Sequence, residues 1–141
     1  MVGKVEFSIK GAREMEVLLK KLGPVLASKV GDQALRAGAK VIVAEAKRLV
    51  PVRTGKLRDS IAIKVESKRK FGVPARLVLI GFERPTSFRA HFVEFGTSHS
   101  AAKPFMRPAM DAKAGEALEE MGRVLARGLA REAAKLAKPG R

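Results

Sequence analysis

Between residues 4 and 10 the side chains alternate, with Val5, Phe7 and Ile9 set against Glu6, Ser8 and Lys10. That is the two-residue period of a strand with one covered face. Gly11 ends it, residues 12–22 are expected to form a short helix, and Gly23 closes that helix. Pro24 suits the first turn of a second helix, where a missing N–H costs nothing. From there Leu26, Val30, Ala34, Ala37, Val41 and Ala44 recur at three- and four-residue spacing and make one apolar stripe. Pro51 disfavours continuation of the helix beyond about Val50. At ~1.5 Å per residue this spine would be roughly 40 Å long.

Residues 51–56 have the composition of a turn. In residues 57–66, Ile61, Ile63 and Val65 alternate with Ala62, Lys64 and Glu66, which predicts a strand. Lys68, Arg69, Lys70, Gly72 and Pro74 predict a basic connecting loop. Residues 76–82 are almost all aliphatic, as in a strand covered on both faces. After a loop at 83–87, residues 88–95 are expected as the last strand, ended by Gly96. A C-terminal helix then follows residues 104–108. Its apolar face is Met110, Ala114, Leu118, Met121, Leu125, Leu129 and Leu136, and its solvent face carries Arg123, Arg127, Arg131 and Lys135. Glu119 stands one turn before Arg123, the favourable order for an ion pair four residues apart. The end, about residues 137–141, is expected to fray. The sum is a single α+β domain over residues 1–141: an antiparallel sheet of about four strands packed with a long central helix and a long C-terminal helix.

Charge changes this picture more than composition does. The 141 residues hold 29 Lys and Arg against 14 Asp and Glu, a net charge of +15. A field of that sign attracts polyanions. The excess is spread along the chain: 13 basic against 6 acidic side chains in residues 1–60, 7 against 3 in 61–100, and 9 against 5 in 101–141. A folded body with a basic surface fits this better than a tethered nucleic-acid arm. With no Trp, no Tyr and 7 Phe, the chain is poorly equipped to stack single-stranded bases. It has no cysteine, which excludes disulfides and thiolate chemistry. No apolar run approaches the ~20 residues of a membrane span, and no signal-peptide pattern is expected at the N-terminus.

Catalytic constellations are sparse. His91 falls in the last expected strand and His99 in a small-residue loop, and neither has a nucleophile or an orienting carboxylate nearby in sequence. Ser98 and Ser100 lack the Gly-x-Ser-x-Gly elbow. Residues 53–57 superficially suggest a phosphate loop. However, Val50 stands where its first Gly is required, and Leu57 where Ser or Thr should bind magnesium. Carboxylates are scattered, so no metal cage is expected. No catalytic residue, cofactor or metal ligand is assigned.

Two segments stand out as punctuated joints. The first contains Pro51, Thr54, Gly55, Leu57, Ser60 and Ile61. Locally it reads as a helix stop, a turn and a strand start. The second contains Val93, Glu94, Phe95, Gly96 and Thr97, then Pro104, Phe105, Met106, Arg107, Pro108 and Ala109. There Gly96 frees the chain from the preceding element, Phe105 and Met106 form an apolar plug, and Pro108 fits a helical first turn.

In this order, after a long helix and before a last one, the two joints resemble the tail-component family of tailed bacteriophages. These are small head–tail joining, neck or tail-completion proteins of long non-contractile tails. His91-Phe92 departs from the family pattern, in which a Tyr often precedes the Val-Glu-Phe-Gly-Thr element. The resemblance implies a structural protein of a phage, prophage or gene-transfer particle, present in the bacterial host cytoplasm during assembly and without catalytic residues. Its implied partners are copies of itself in a ring, a hexamer by the family pattern, together with neighbouring head–tail connector and tail proteins. A ring needs heterologous contacts, in which one patch meets a different patch on the next subunit. Packaged DNA is a further expected partner, with Lys68, Arg69, Lys70, Arg123, Arg127, Arg131 and Lys135 as candidate contacts. Such rows are equally the mark of a solvated helix face. Two other readings stay open: a basic double-stranded nucleic-acid-binding protein, resting on the charge, and a small enzyme using His91 or His99.

Overall fold

The structure, a computed structural model, describes residues 24–70 and 73–138. The strand and helix expected at residues 4–10 and 12–22 lie outside the described residues. Helix α1 spans Pro24–Leu49 and starts and stops where the two prolines predict. A four-residue helix, α2, Lys56–Asp59, precedes strand β1, Ile61–Lys70. Strand β2 is Val73–Phe82, helix α3 is Ser87–Phe95, and helix α4 is Met106–Ala137. The architecture is α+β, with an antiparallel hairpin and the long helices α1 and α4 packed against each other.

The sheet among the described residues has two strands, β1 and β2, where about four were expected. One of the missing strands lies outside the described residues. The other, over 88–95, is helix α3. Its residues satisfy both periods: Phe88, Ala90 and Phe92 alternate, while Phe88, Phe92 and Phe95 repeat at helical spacing. The helix puts Ala90 into the core, and only this small residue of the segment is fully buried.

The hairpin register is Ile61↔Phe82, Ile63↔Ile80 and Val65↔Val78, ending at Lys70↔Val73. Those apolar pairs share one face, as the two-residue period requires. Lys68, Arg69 and Lys70, expected in a loop, instead extend β1 opposite Ala75, Pro74 and Val73. Pro74 is tolerated because both strands of a two-stranded sheet are edges. Contrary to the expectation, β2 is not covered on both faces: Leu79, which alternates with Val78 and Ile80, is 43 % exposed. Leu57 belongs to α2, so β1 begins four residues later than expected.

The core joins Ile42, Val43, Ala46 and Val50 of α1's C-terminal half to Ile61, Ala90, Phe105, Ala109 and Ala117. The buried line on α1 therefore departs from the predicted stripe after Ala34. Ala39, Ile42, Val43 and Ala46 are buried, whereas Ala37 and Val41 are half-buried and Ala44 is exposed. The cause is a change of partner, because α1 packs on the hairpin as well as on α4. On α4 the buried apolar side chains are Ala109, Ala117 and Leu129, followed by the buried Glu132, while Met110 of the predicted face is 45 % exposed. Small residues hold this line because the helices approach closely. A Cβ on Gly38 would sit 2.3 Å from Met121 Cε and 2.9 Å from the Ala117 carbonyl oxygen. Across the fold, both donor nitrogens of the Arg76 fork that face Asp32 pair with its two carboxylate oxygens, fixing β2 to α1.

Candidate functional site

The two punctuated segments meet at one end of the molecule, where α2 lies against α3. In the first, Val50 is buried and donates its N–H to Ala46, while Pro51 and Thr54 are exposed. Thr54 Oγ1 accepts weakly from Lys56 N, at 3.4 Å. Gly55 precedes α2 in the left-handed region. Ser60 ends the turn: its Oγ donates to the Leu57 carbonyl at 2.7 Å, and its own carbonyl accepts from Glu83 N at 2.9 Å. Leu57 packs partly buried on the core with Val93 and Met106, which brings both segments onto one apolar base.

The second segment is built around Glu94. Its Oε2 accepts from the backbone N–H groups of Phe105 (2.8 Å) and Met106 (3.0 Å), and its Oε1 from that of Arg107 (3.1 Å). A helix leaves its first N–H groups without internal partners. In α4 those donors go to Glu94, Pro108 has no N–H to satisfy, and Ala109 N bonds the Phe105 carbonyl at 3.2 Å. The carboxylate also meets the positive end of the helix dipole. Burial alone would raise the Glu94 carboxyl, but the three N–H groups and the Arg107 charge outweigh it and hold the group below the ordinary glutamate range.

The loop between α3 and α4 is closed on itself. Gly96 has φ 76° and donates its N–H to the Phe92 carbonyl at 2.8 Å. Thr97 Oγ1 accepts from Ser100 N at 3.0 Å and from His99 N at 3.2 Å, and Lys103 N returns to the Val93 carbonyl at 2.8 Å. A Cβ on Gly96 would lie 2.7 Å from Ala102 N. Only glycine combines that φ with that approach. Gly96 therefore ends a helix, not the expected strand. Pro104 is exposed, whereas Phe105 is fully buried and meets the Phe82 ring edge-on at 5.8 Å.

Beside this joint, α3 turns Phe88, Phe92 and Phe95 to solvent, at 55, 49 and 62 % exposure. The ring of His91, also exposed, lies 4.9 Å from that of Phe95. An open apolar groove runs alongside, between β2 and α4, lined by residues including Ile80, Met106 and Met110.

The candidate basic contacts are not gathered here. Lys68, Arg69 and Lys70 sit at the far end of the hairpin. Arg123, Arg127, Arg131 and Lys135 are exposed on α4 but have partners. Glu120, and not the expected Glu119, bonds Arg123 (2.8 Å) and reaches Arg127 (3.9 Å), while Glu132 takes Lys135 (3.2 Å) and Arg131 (3.9 Å). Neither His91 nor His99 makes a side-chain hydrogen bond among the described residues. No group of three metal-ligating side chains occurs among them. No helix among them is long and apolar enough to cross a membrane.

The part played by Glu94 had a signal in the sequence. Phe105 precedes α4 without any capping side chain, so the Ser, Thr, Asp or Asn usual at that position is missing. The donors had to be met from elsewhere, and Glu94 is the nearest preceding carboxylate in the chain.

Residues 13–96 match the family model described as "Bacteriophage HK97-gp10, putative tail-component". The match takes in the first segment and ends at Gly96, before the α4 entry. No curated protein and no solved structure matches the chain.

Proposed function

Because the chain belongs to the HK97-gp10-like family of bacteriophage tail components, we propose that it is a structural virion protein of the head–tail junction or tail, acting by closing into a ring of its own copies, six by the family pattern. It works without catalysis, is made in the host cytoplasm, and docks on neighbouring connector and tail proteins. The observation that carries self-association is the apolar face of α3. Three phenylalanines about half exposed or more, on one side of a nine-residue helix, form the kind of surface that marks a contact site. Aromatic side chains are also the ones that dominate interface energetics.

The test is the mass of the purified chain by light scattering over a wide concentration range. We expect oligomers for the wild type and single subunits for the combined Phe88→Ser and Phe92→Ser variant, with unchanged helical circular dichroism. A wild-type chain that stays single at high concentration and does not enter particles would overturn the reading.

A further inference from the structure

Helix α1 carries a second basic row, on its outer face. Lys29, Arg36 and Lys40 are exposed and Lys47 is half-buried. At about 100° per residue the four fall within roughly 40° of one another around the helix axis, and at ~1.5 Å per residue the line is about 27 Å long. None of the four has an ion pair or hydrogen bond among the described residues. The two carboxylates of α1 are engaged elsewhere, Asp32 with Arg76 and Glu45 with Arg48, and the two of α4 that share an open groove with Arg36 and Lys40 are paired too, Glu116 with Lys113 and Glu120 with Arg123. Gln33, the remaining polar residue on this line, accepts from Arg131 at 3.2 Å.

We infer that this row is a docking line for the phosphate backbone of double-stranded DNA. A straight, rigid row of cations matches a straight, rigid polyanion, and a duplex presents one phosphate charge per ~1.7 Å of its axis. On the scale of the row the duplex does not bend, since its persistence length is about 50 nm. The row carries no aromatic platform for unpaired bases, so single strands are disfavoured. It also has no large apolar side chain at its centre, which an acidic protein partner would need for an interface core. Small residues, Ala37 and Ala44, flank it and allow close approach. With only Lys, Arg and one occupied Gln, the line holds position without reading sequence. This inference is independent of ring formation, so failure of one leaves the other standing.

The test is fluorescence anisotropy of a labelled mixed-sequence duplex with the full chain, from 50 to 200 mM salt. Lys29→Gln, Arg36→Gln, Lys40→Gln and Lys47→Gln are combined in one variant. A control removes the same charge from Arg53, Arg84, Lys103 and Lys138, which are exposed and unpaired among the described residues but scattered over separate loops and beyond the end of α4. We expect the row variant to bind at least tenfold more weakly at 100 mM salt. Its log–log salt slope should fall by about three to four, since each phosphate contact contributes ~0.9. The scattered control should change binding less than threefold. If the four-site variant does not fold, Arg36→Gln with Lys40→Gln should remove about half of the slope change. Equal weakening by row and control, or no wild-type binding at 50 mM salt, overturns the inference. So does polyglutamate binding as tightly as duplex and losing its hold on the row variant, which would make the partner an acidic protein.

Discussion

The joint at the start of α4 and the outer face of α1 treat polar groups in opposite ways. At the joint, one carboxylate meets three backbone N–H groups, a proline removes the donor left over, and a threonine ties the intervening loop. Along α1, four cations stand in line with no partner among the described residues. A network closed within the subunit defines the fold, because each lost bond strands its partner. An open row contributes little to folding and stays available for an outside charge. Conspicuous sequence motifs can thus be structural, while an inconspicuous spacing of lysines and arginines carries the proposed binding surface.

The sharpest way to break this contrast is to remove Glu94. Glu94→Ala leaves the N–H groups of Phe105, Met106 and Arg107 without their acceptor, and Phe105 is buried. Hydrogen bonds to charged groups contribute ~1.5–3 kcal/mol each, and water will satisfy the more exposed donors. A loss of about 2–4 kcal/mol in chemical denaturation follows, with Glu94→Gln intermediate. A loss below about 0.5 kcal/mol, the level of an ordinary surface change, would show the cradle to be incidental. The pH dependence has a definite sign. A carboxyl held below its unfolded value, near ~4.3, stabilises the fold fully above that value. The stabilisation is lost as pH falls through the folded value. The gap between wild type and Glu94→Ala should therefore be widest above about pH 5 and shrink under stronger acid.

A smaller effect separates glycines that the fold needs from one it does not. Gly96→Ala combines a left-handed φ with a Cβ 2.7 Å from a backbone nitrogen and should cost about 1–3 kcal/mol. Gly31→Ala, inside α1 with nothing within 4 Å of the added carbon, should stabilise by about 0.5–1 kcal/mol through helix propensity. Thermal melts of the two variants should move in opposite directions. Equal shifts would mean that the loop relaxes around the new side chain.

The sequence made α1 and the start of α4 legible, because prolines mark their ends, and the body of β2, because its aliphatic run is continuous, but Pro74 hid the first three residues of β2. Residues 88–95 were not legible as a helix. Eight residues with five apolar positions fit both periods, and only the packing of Ala90 under the hairpin decides between them. The buried lines on α1 and α4 were misplaced for a related reason. Periodicity finds the larger side chains, whereas a close helix crossing buries the small ones, Gly38, Ala109 and Ala117. Both motifs are visible as segments, but the role of the second depends on contacts eleven to thirteen residues away, from Glu94 to the N–H groups of α4. Likewise, the basic row on α4 is visible in sequence, but Arg123 pairs with Glu120 and not with Glu119, and Glu132 neutralises the end of the row. The α1 row, broken by Gln33 and interleaved with core positions, needed the buried face to be known before the outer one could be seen.

The smallest expected effect is also the one that most directly separates the two regions. Substituting Arg36 and Lys40 by Gln should change folding stability by no more than about 0.5 kcal/mol, as for other exposed positions free of caps, cavities or partners. The sign should be favourable at low salt, since each removal relieves repulsion within a chain of net charge +15. Raising salt screens that repulsion over a Debye length of ~8–10 Å near physiological strength. The wild type should therefore gain stability with salt, and the double variant should gain less, when denaturation midpoints are compared at 20 and 300 mM. A double variant destabilised by more than about 1 kcal/mol would mean that the row is tied into the fold by contacts of its own, and the contrast with the Glu94 joint would collapse.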